Sequence, residues 1–88
     1  MSLKLLAFVK RSKTRCSVFL AVTKPTMPSE IVRALYGDWS ESRYAVVSRA
    51  LSELVEKGLL RLVNPEEKVG RLYVQTALGK KVFALLFD

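Results

Sequence analysis

The residues that interrupt regular structure fall in three stretches, Pro25 to Pro28, Gly37 to Ser42 and Asn64 to Gly70, and their spacing dictates how the chain is segmented. Between them lie segments of helix length, and only after Gly58 does the apolar pattern change to the alternation of a strand pair. There is no internal repeat and no low-complexity tract. With 88 residues and half of them hydrophobic, the chain has material for one core, so residues 1–88 are read as a single domain.

From Leu3 to Val22, the residues Leu5, Phe8, Val9, Cys16, Phe19 and Leu20 share one side of a helical wheel. This predicts one long amphipathic helix, with an extended course for residues 3 to 9 as the alternative. Leu6 and Val18 fall outside the stripe. Pro28 opens a second helix running to about Tyr36, with Ile31, Ala34 and Leu35 inward and Gly37 as its stop. Asp38 to Ser40 offer N-cap side chains for a third helix, Glu41 to Lys57, closed by Gly58. Its wheel places Tyr44, Val47, Leu51, Leu54 and Val55 inward, and Ser42, Ala45, Val46, Arg49, Glu53 and Glu56 outward.

After Gly58, Leu60 and Leu62 alternate with Arg61 and Val63, and Leu72 and Val74 alternate with Arg71, Tyr73 and Gln75. This predicts a β-hairpin with a loop of about six residues and with Tyr73 on its outer face. Thr76 caps a last helix from Ala77 to Phe87, whose apolar face is Leu78, Val82, Leu85 and Leu86. Phe83 and Phe87 lie on another side of it.

Fifteen Lys and Arg against eight Asp and Glu give a formal charge of +7, which favours a polyanionic partner, nucleic acid before an anionic membrane. The chain has no histidine, and Cys16 is its one cysteine. Cys/His zinc sites, histidine acid–base catalysis and an intrachain disulfide are therefore excluded, and neither a catalytic role, a metal nor a cofactor is expected. No apolar run approaches membrane-helix length and no signal peptide is recognisable, so a cytoplasmic protein with no membrane association is expected.

Three helices, a strand pair and a further helix, with the third helix presenting Ser and Arg outward, is the element order of a winged helix-turn-helix domain. Val47-Ser48-Arg49-Ala50-Leu51 followed by Leu54 to Leu60 resembles the recognition-helix and strand entry of MarR-like and ArsR-like regulators. Asn64 to Tyr73 and Thr76-Ala77-Leu78-Gly79-Lys80 resemble the wing and C-terminal helix of small archaeal winged-helix regulators. The resemblance spans about residues 12 to 83. The stretch from Leu35 to Ser48 is longer than in the family pattern, which extends the turn holding Asp38 and Trp39.

The resemblance implies an α+β fold and a homodimeric transcriptional regulator of double-stranded DNA. The helix at about 41–57 would enter the major groove, and the wing at 64–71 would meet the flanking groove or backbone. Ser42, Arg43, Val46 and Arg49 would face the groove, and Lys68 and Arg71 would serve the wing. The basic run Lys10, Arg11, Lys13 and Arg15 is a further candidate for phosphate contact. Leu6, Val18, Phe83 and Phe87 are candidates for the dimer contact, because a helix apolar on two sides needs covering twice. No effector is implied. A protein-interaction winged helix and a non-specific nucleic-acid or chromatin protein are the rival readings.

Overall fold

A computed structural model describes residues 2–87 of the chain. Five helices and a two-stranded antiparallel sheet form a small α+β fold in the order α1 (Ser2–Lys10), α2 (Lys13–Ala21), α3 (Pro28–Tyr36), α4 (Glu41–Glu56), β1 (Leu60–Leu62), β2 (Tyr73–Gln75) and α5 (Ala77–Leu85). The long helix expected over residues 3 to 22 is thus two helices. Ser12 adopts an extended conformation at the junction, and its hydroxyl accepts the Arg15 N–H at 3.2 Å, capping α2. The break resets the helical phase. Val18 moves inward beside Phe19 and Val22, and all three are fully buried. Its expected place outside the core stripe, and with it a place on a dimer surface, is overturned.

The stops of α3 and α4 fall where the glycines stand. Gly37 and Gly58 have φ of +80° and +79°, a left-handed conformation that costs a residue with a side chain far more. At Gly58 the end is a full Schellman arrangement: Gly58 N–H bonds to Val55 O and Leu59 N–H to Leu54 O, both at 2.9 Å. Leu54 and Leu59, the accompanying apolar pair, are fully buried. At the start of α3, the Glu30 carboxylate accepts the Met27 N–H at 2.9 Å. Ser40 is the N-cap of α4, but its hydroxyl pairs with that of Ser42 at 3.0 Å and caps no backbone N–H.

One cluster of buried side chains joins every helix to the sheet: Val9 from α1, Val18 and Phe19 from α2, Ile31 and Val32 from α3, Val47, Leu51 and Leu54 from α4, Leu60 and Tyr73 from the strands, and Val82 from α5. Val32 takes the inward place expected of Ala34, which is exposed. Helix α4 lies across α2 and α3, while α1 packs on α2 and α5.

The strands pair Leu60 with Gln75, Arg61 with Val74 and Leu62 with Tyr73. Beyond β2, Thr26 exchanges both backbone hydrogen bonds with Tyr73, at 2.9 and 3.0 Å, so β2 lies between β1 and the chain ahead of α3. This pairing turns Tyr73 into the core at 7% exposure, opposite to the outer face expected from alternation. The connection from β1 to β2, residues 63–72, is longer than expected, and Asn64 organises it: its Oδ1 accepts the Leu72 N–H at 2.8 Å and its Nδ2 donates to Gly70 O at 3.1 Å.

Helix α5 starts close against the sheet. Thr76 Oγ1 accepts the Gly79 N–H at 2.9 Å and donates to Gly58 O at 2.6 Å, linking the start of α5 to the end of α4. Gly79 fits there because a Cβ at this position would lie 2.0 Å from Leu59 O.

Candidate nucleic-acid interface

Helix α4 buries Val47, Ala50, Leu51 and Leu54 against the core, and the opposite side of the same helix is open. Ser42, Ala45, Val46, Arg49 and Glu56 of the outward set expected from the wheel are exposed, as is Ser52, whereas Glu53 is half-buried because it pairs with Arg15. Tyr44 is the exception to the inward set. It lies near the N-terminus of α4 at 37% exposure, and its ring packs on Trp39, with centroids 5.1 Å apart.

A groove flanks the open face on each side. Toward α2, Ala45, Val46 and Arg49 face Ser12, Thr14 and Arg15 across a cleft of about 300 Å³. Toward the β1–β2 loop, Tyr44, Ser48 and Ser52 face Lys68 and Arg71 across a larger one of about 520 Å³. Lys68 and Arg71 are exposed and border the second groove, so the structure brings together the helix and loop candidates that lie far apart in sequence. Arg71 is held in place by its Nε, which donates to Glu67 O at 2.9 Å.

The candidate cations are not equivalent. Arg49 is exposed at the middle of the open face. Arg43 lies at the margin, its guanidinium 4.8 Å from the centroid of the Tyr36 ring. Lys10, Arg11 and Lys13 are exposed at the α1–α2 junction, whereas Arg15 is structural. Its guanidinium lies 3.9 Å over the Phe8 ring, hydrogen-bonds Phe8 O and pairs with Glu53 Oε1 at 3.2 Å. Arg15 therefore fastens α1 and α2 to α4, and it also neutralises the one carboxylate that borders the α2-side groove.

Of the residues considered for a dimer contact, Val18 is buried inside the chain. Phe83 packs edge-on against Phe19 with ring centroids 5.9 Å apart, and Leu6 is half-buried against the core. Phe87 is 69% exposed and touches Phe83 at 5.1 Å between ring centroids. Among the described residues there is no group of three or more Cys, Asp or Glu side chains placed to hold a metal, and no helix long and apolar enough to cross a membrane.

Tyr44, expected inward, and Trp39, expected in the turn, line the loop-side groove together with Ser48 and Ser52. Wheel angle alone does not show that the β1–β2 loop folds alongside the start of α4 and leaves a channel there. Comparison with protein-family models, with characterised proteins and with solved structures finds no match to this chain.

Proposed function

We propose that the chain is a winged helix-turn-helix domain that binds double-stranded DNA in a sequence-dependent way and acts as a transcriptional regulator. The observation that carries this reading is the open face of α4, with exposed Arg49 at its centre and the cations Lys68 and Arg71 on the neighbouring loop. A B-form major groove, about 12 Å wide, admits one helix, and an arginine on its exposed side reaches the paired acceptors of guanine. Lys68 and Arg71, on a loop beside that helix, meet phosphates of the same duplex, a contact that fixes position without reading sequence.

The charge distribution supports the same orientation. The formal excess of +7 attracts a duplex from any direction, but acidic side chains on the binding face would oppose it. On α4, Glu53 is paired with Arg15 and Glu56 stands at the C-terminal end; Ser42, Ala45 and Val46 occupy the N-terminal half, with Glu41 in its first turn, and Arg49 follows at the middle. The N-terminal half is the part that a recognition helix brings to the base edges. Loop carboxylates Glu66 and Glu67 sit beside Lys68, so Arg71 is the stronger of the two phosphate contacts.

Selecting bound sites from a random duplex library, then titrating the selected site and a scrambled one by fluorescence anisotropy, tests the reading. Enrichment of one motif, with tighter binding to it than to the scrambled duplex, is the expected outcome. Equal binding to every duplex would leave only charge-driven association, and no binding at all would leave a protein-interaction domain.

A further inference from the structure

The groove between the start of α4 and the β1–β2 loop has a composition that a duplex-reading helix does not require. It measures about 520 Å³, within the range of sites that enclose a small ligand. Its walls carry the Trp39–Tyr44 pair on one side and Lys68 and Arg71 on the other, with the hydroxyls of Ser29 and Ser48 among its polar groups, and no carboxylate lines it. Trp39 is 48% exposed, and neither it nor Tyr44 belongs to the core cluster. Two exposed aromatic rings in contact are costly to leave in water, and they serve here neither as core nor as a helix stop.

We infer that this groove receives an unpaired nucleotide of a DNA strand, its base stacked on Trp39 and Tyr44 and its phosphate held by Lys68 and Arg71. This rests on the DNA-binding reading and extends it to duplexes that carry a single-stranded segment. The chemistry is matched on both ends. A base has an apolar face that stacks on any aromatic ring, and its phosphate needs cations and hydroxyl or amide donors with no competing carboxylate. A paired base cannot enter, because its faces are covered by its neighbours in the stack. The groove therefore distinguishes a frayed end, a tail or a bubble from an intact duplex.

Trp39 is the sole tryptophan of the chain, so its fluorescence reports this groove alone. The full chain is titrated with a blunt duplex, the same duplex with a thymidine tail, a short thymidine oligonucleotide and thymidine monophosphate, following both Trp39 emission and duplex anisotropy. The tailed duplex and the oligonucleotide should quench Trp39, and the tailed duplex should bind on the order of tenfold more tightly than the blunt one, the effect of stacking a base on an aromatic ring. Trp39→Ala should abolish that preference, and Trp39→Phe should keep most of it. Equal affinity for tailed and blunt duplexes, or a preference that survives Trp39→Ala, overturns the inference and leaves duplex binding standing. Binding of the oligonucleotide without any binding of blunt duplex supports the groove and removes the duplex reading instead. Quenching by the monophosphate at the same concentrations as the oligonucleotide would assign the groove to a free nucleotide and overturn its assignment to a strand.

Discussion

Arg49 and Gly79 show how differently single residues act in this chain. Arg49 is exposed on α4 and forms no salt bridge among the described residues, so Arg49→Ala should leave the unfolding transition in place. It should weaken binding to a selected duplex by about 1–3 kcal/mol, the value of a good arginine–guanine pair. Anisotropy on the selected and scrambled sites separates the two effects: loss on the selected site alone marks a base contact, and equal loss on both marks a phosphate contact. Gly79 lines neither groove of the candidate interface, yet its substitution should be costly. In an exposed helix, Gly→Ala gains up to about 1 kcal/mol from backbone entropy. Here the added carbon would sit 2.0 Å from Leu59 O, a backbone atom that cannot step aside without moving β1. Gly79→Ala should therefore destabilise by about 1–3 kcal/mol, measured by urea unfolding, with the sign set by the clash. An unchanged midpoint would mean that α5 can shift away from the sheet freely.

At the scale of elements, the starts and stops that depend on local chemistry were legible in the sequence. The span of α3 and the stop of α4 at Gly58 follow from Pro28 and the two glycines, whereas α4 starts at Glu41 as expected without a side-chain cap from Ser40. What local pattern could not supply was long-range pairing and helical phase. Alternation in β2 defines two faces without saying which is inward, and the Thr26–Tyr73 bridge, formed with a segment far away in sequence, turns Tyr73 inward. Likewise, the apolar stripe from Leu5 to Leu20 runs past Ser12 because helix and break share compatible residues, and only the cap at Arg15 N–H shows the break. Ser12→Ala should cost about 1 kcal/mol of stability through the lost cap, seen as a lower urea midpoint. The candidate interface was legible on α4 and the loop separately. Their adjacency, and the groove between them, depends on how the loop folds over the sheet end.

That loop makes a prediction of its own. Asn64 ties both ends of it through Leu72 N–H and Gly70 O, which holds Lys68 and Arg71 beside α4. Replacing Lys68 and Arg71 by alanine should reduce the slope of log affinity against log salt by about 1 to 2, since each phosphate contact releases close to one counterion. Asn64→Ala should weaken binding with much less change in that slope, because it loosens the cations without removing them. A salt slope identical to wild type in the double variant would take the loop out of the interface.

For the whole molecule, the core is a single cluster spanning all five helices and both strands, so loss of a central side chain is felt everywhere. Leu51 is fully buried, and Leu51→Ala should cost roughly 2–5 kcal/mol, a large share of the stability of so small a domain. The apolar surface available for the proposed self-association is smaller than the sequence suggested. With Val18 buried and Phe83 on Phe19, the large apolar residues left exposed here are Leu3 in α1 and Phe87 just beyond α5. A homodimer through this end would bring α1 and α5 of two copies together and leave both α4 faces open, as a two-fold DNA site requires. Sedimentation equilibrium should then show a dimer for the wild type and a monomer for Phe87→Glu; a monomeric wild type would remove the expectation of a palindromic site.

The claim on which the rest depends is that α4 and the β1–β2 loop are the surface that meets duplex DNA. Amide chemical-shift mapping of the labelled protein on titration with a selected duplex reads that surface residue by residue. The largest changes should fall on 42–49 and 68–71, with weaker ones around the α1–α2 junction and none of note along the outer side of α5. Changes centred on α1 and α5, with 42–49 unmoved, would contradict the account.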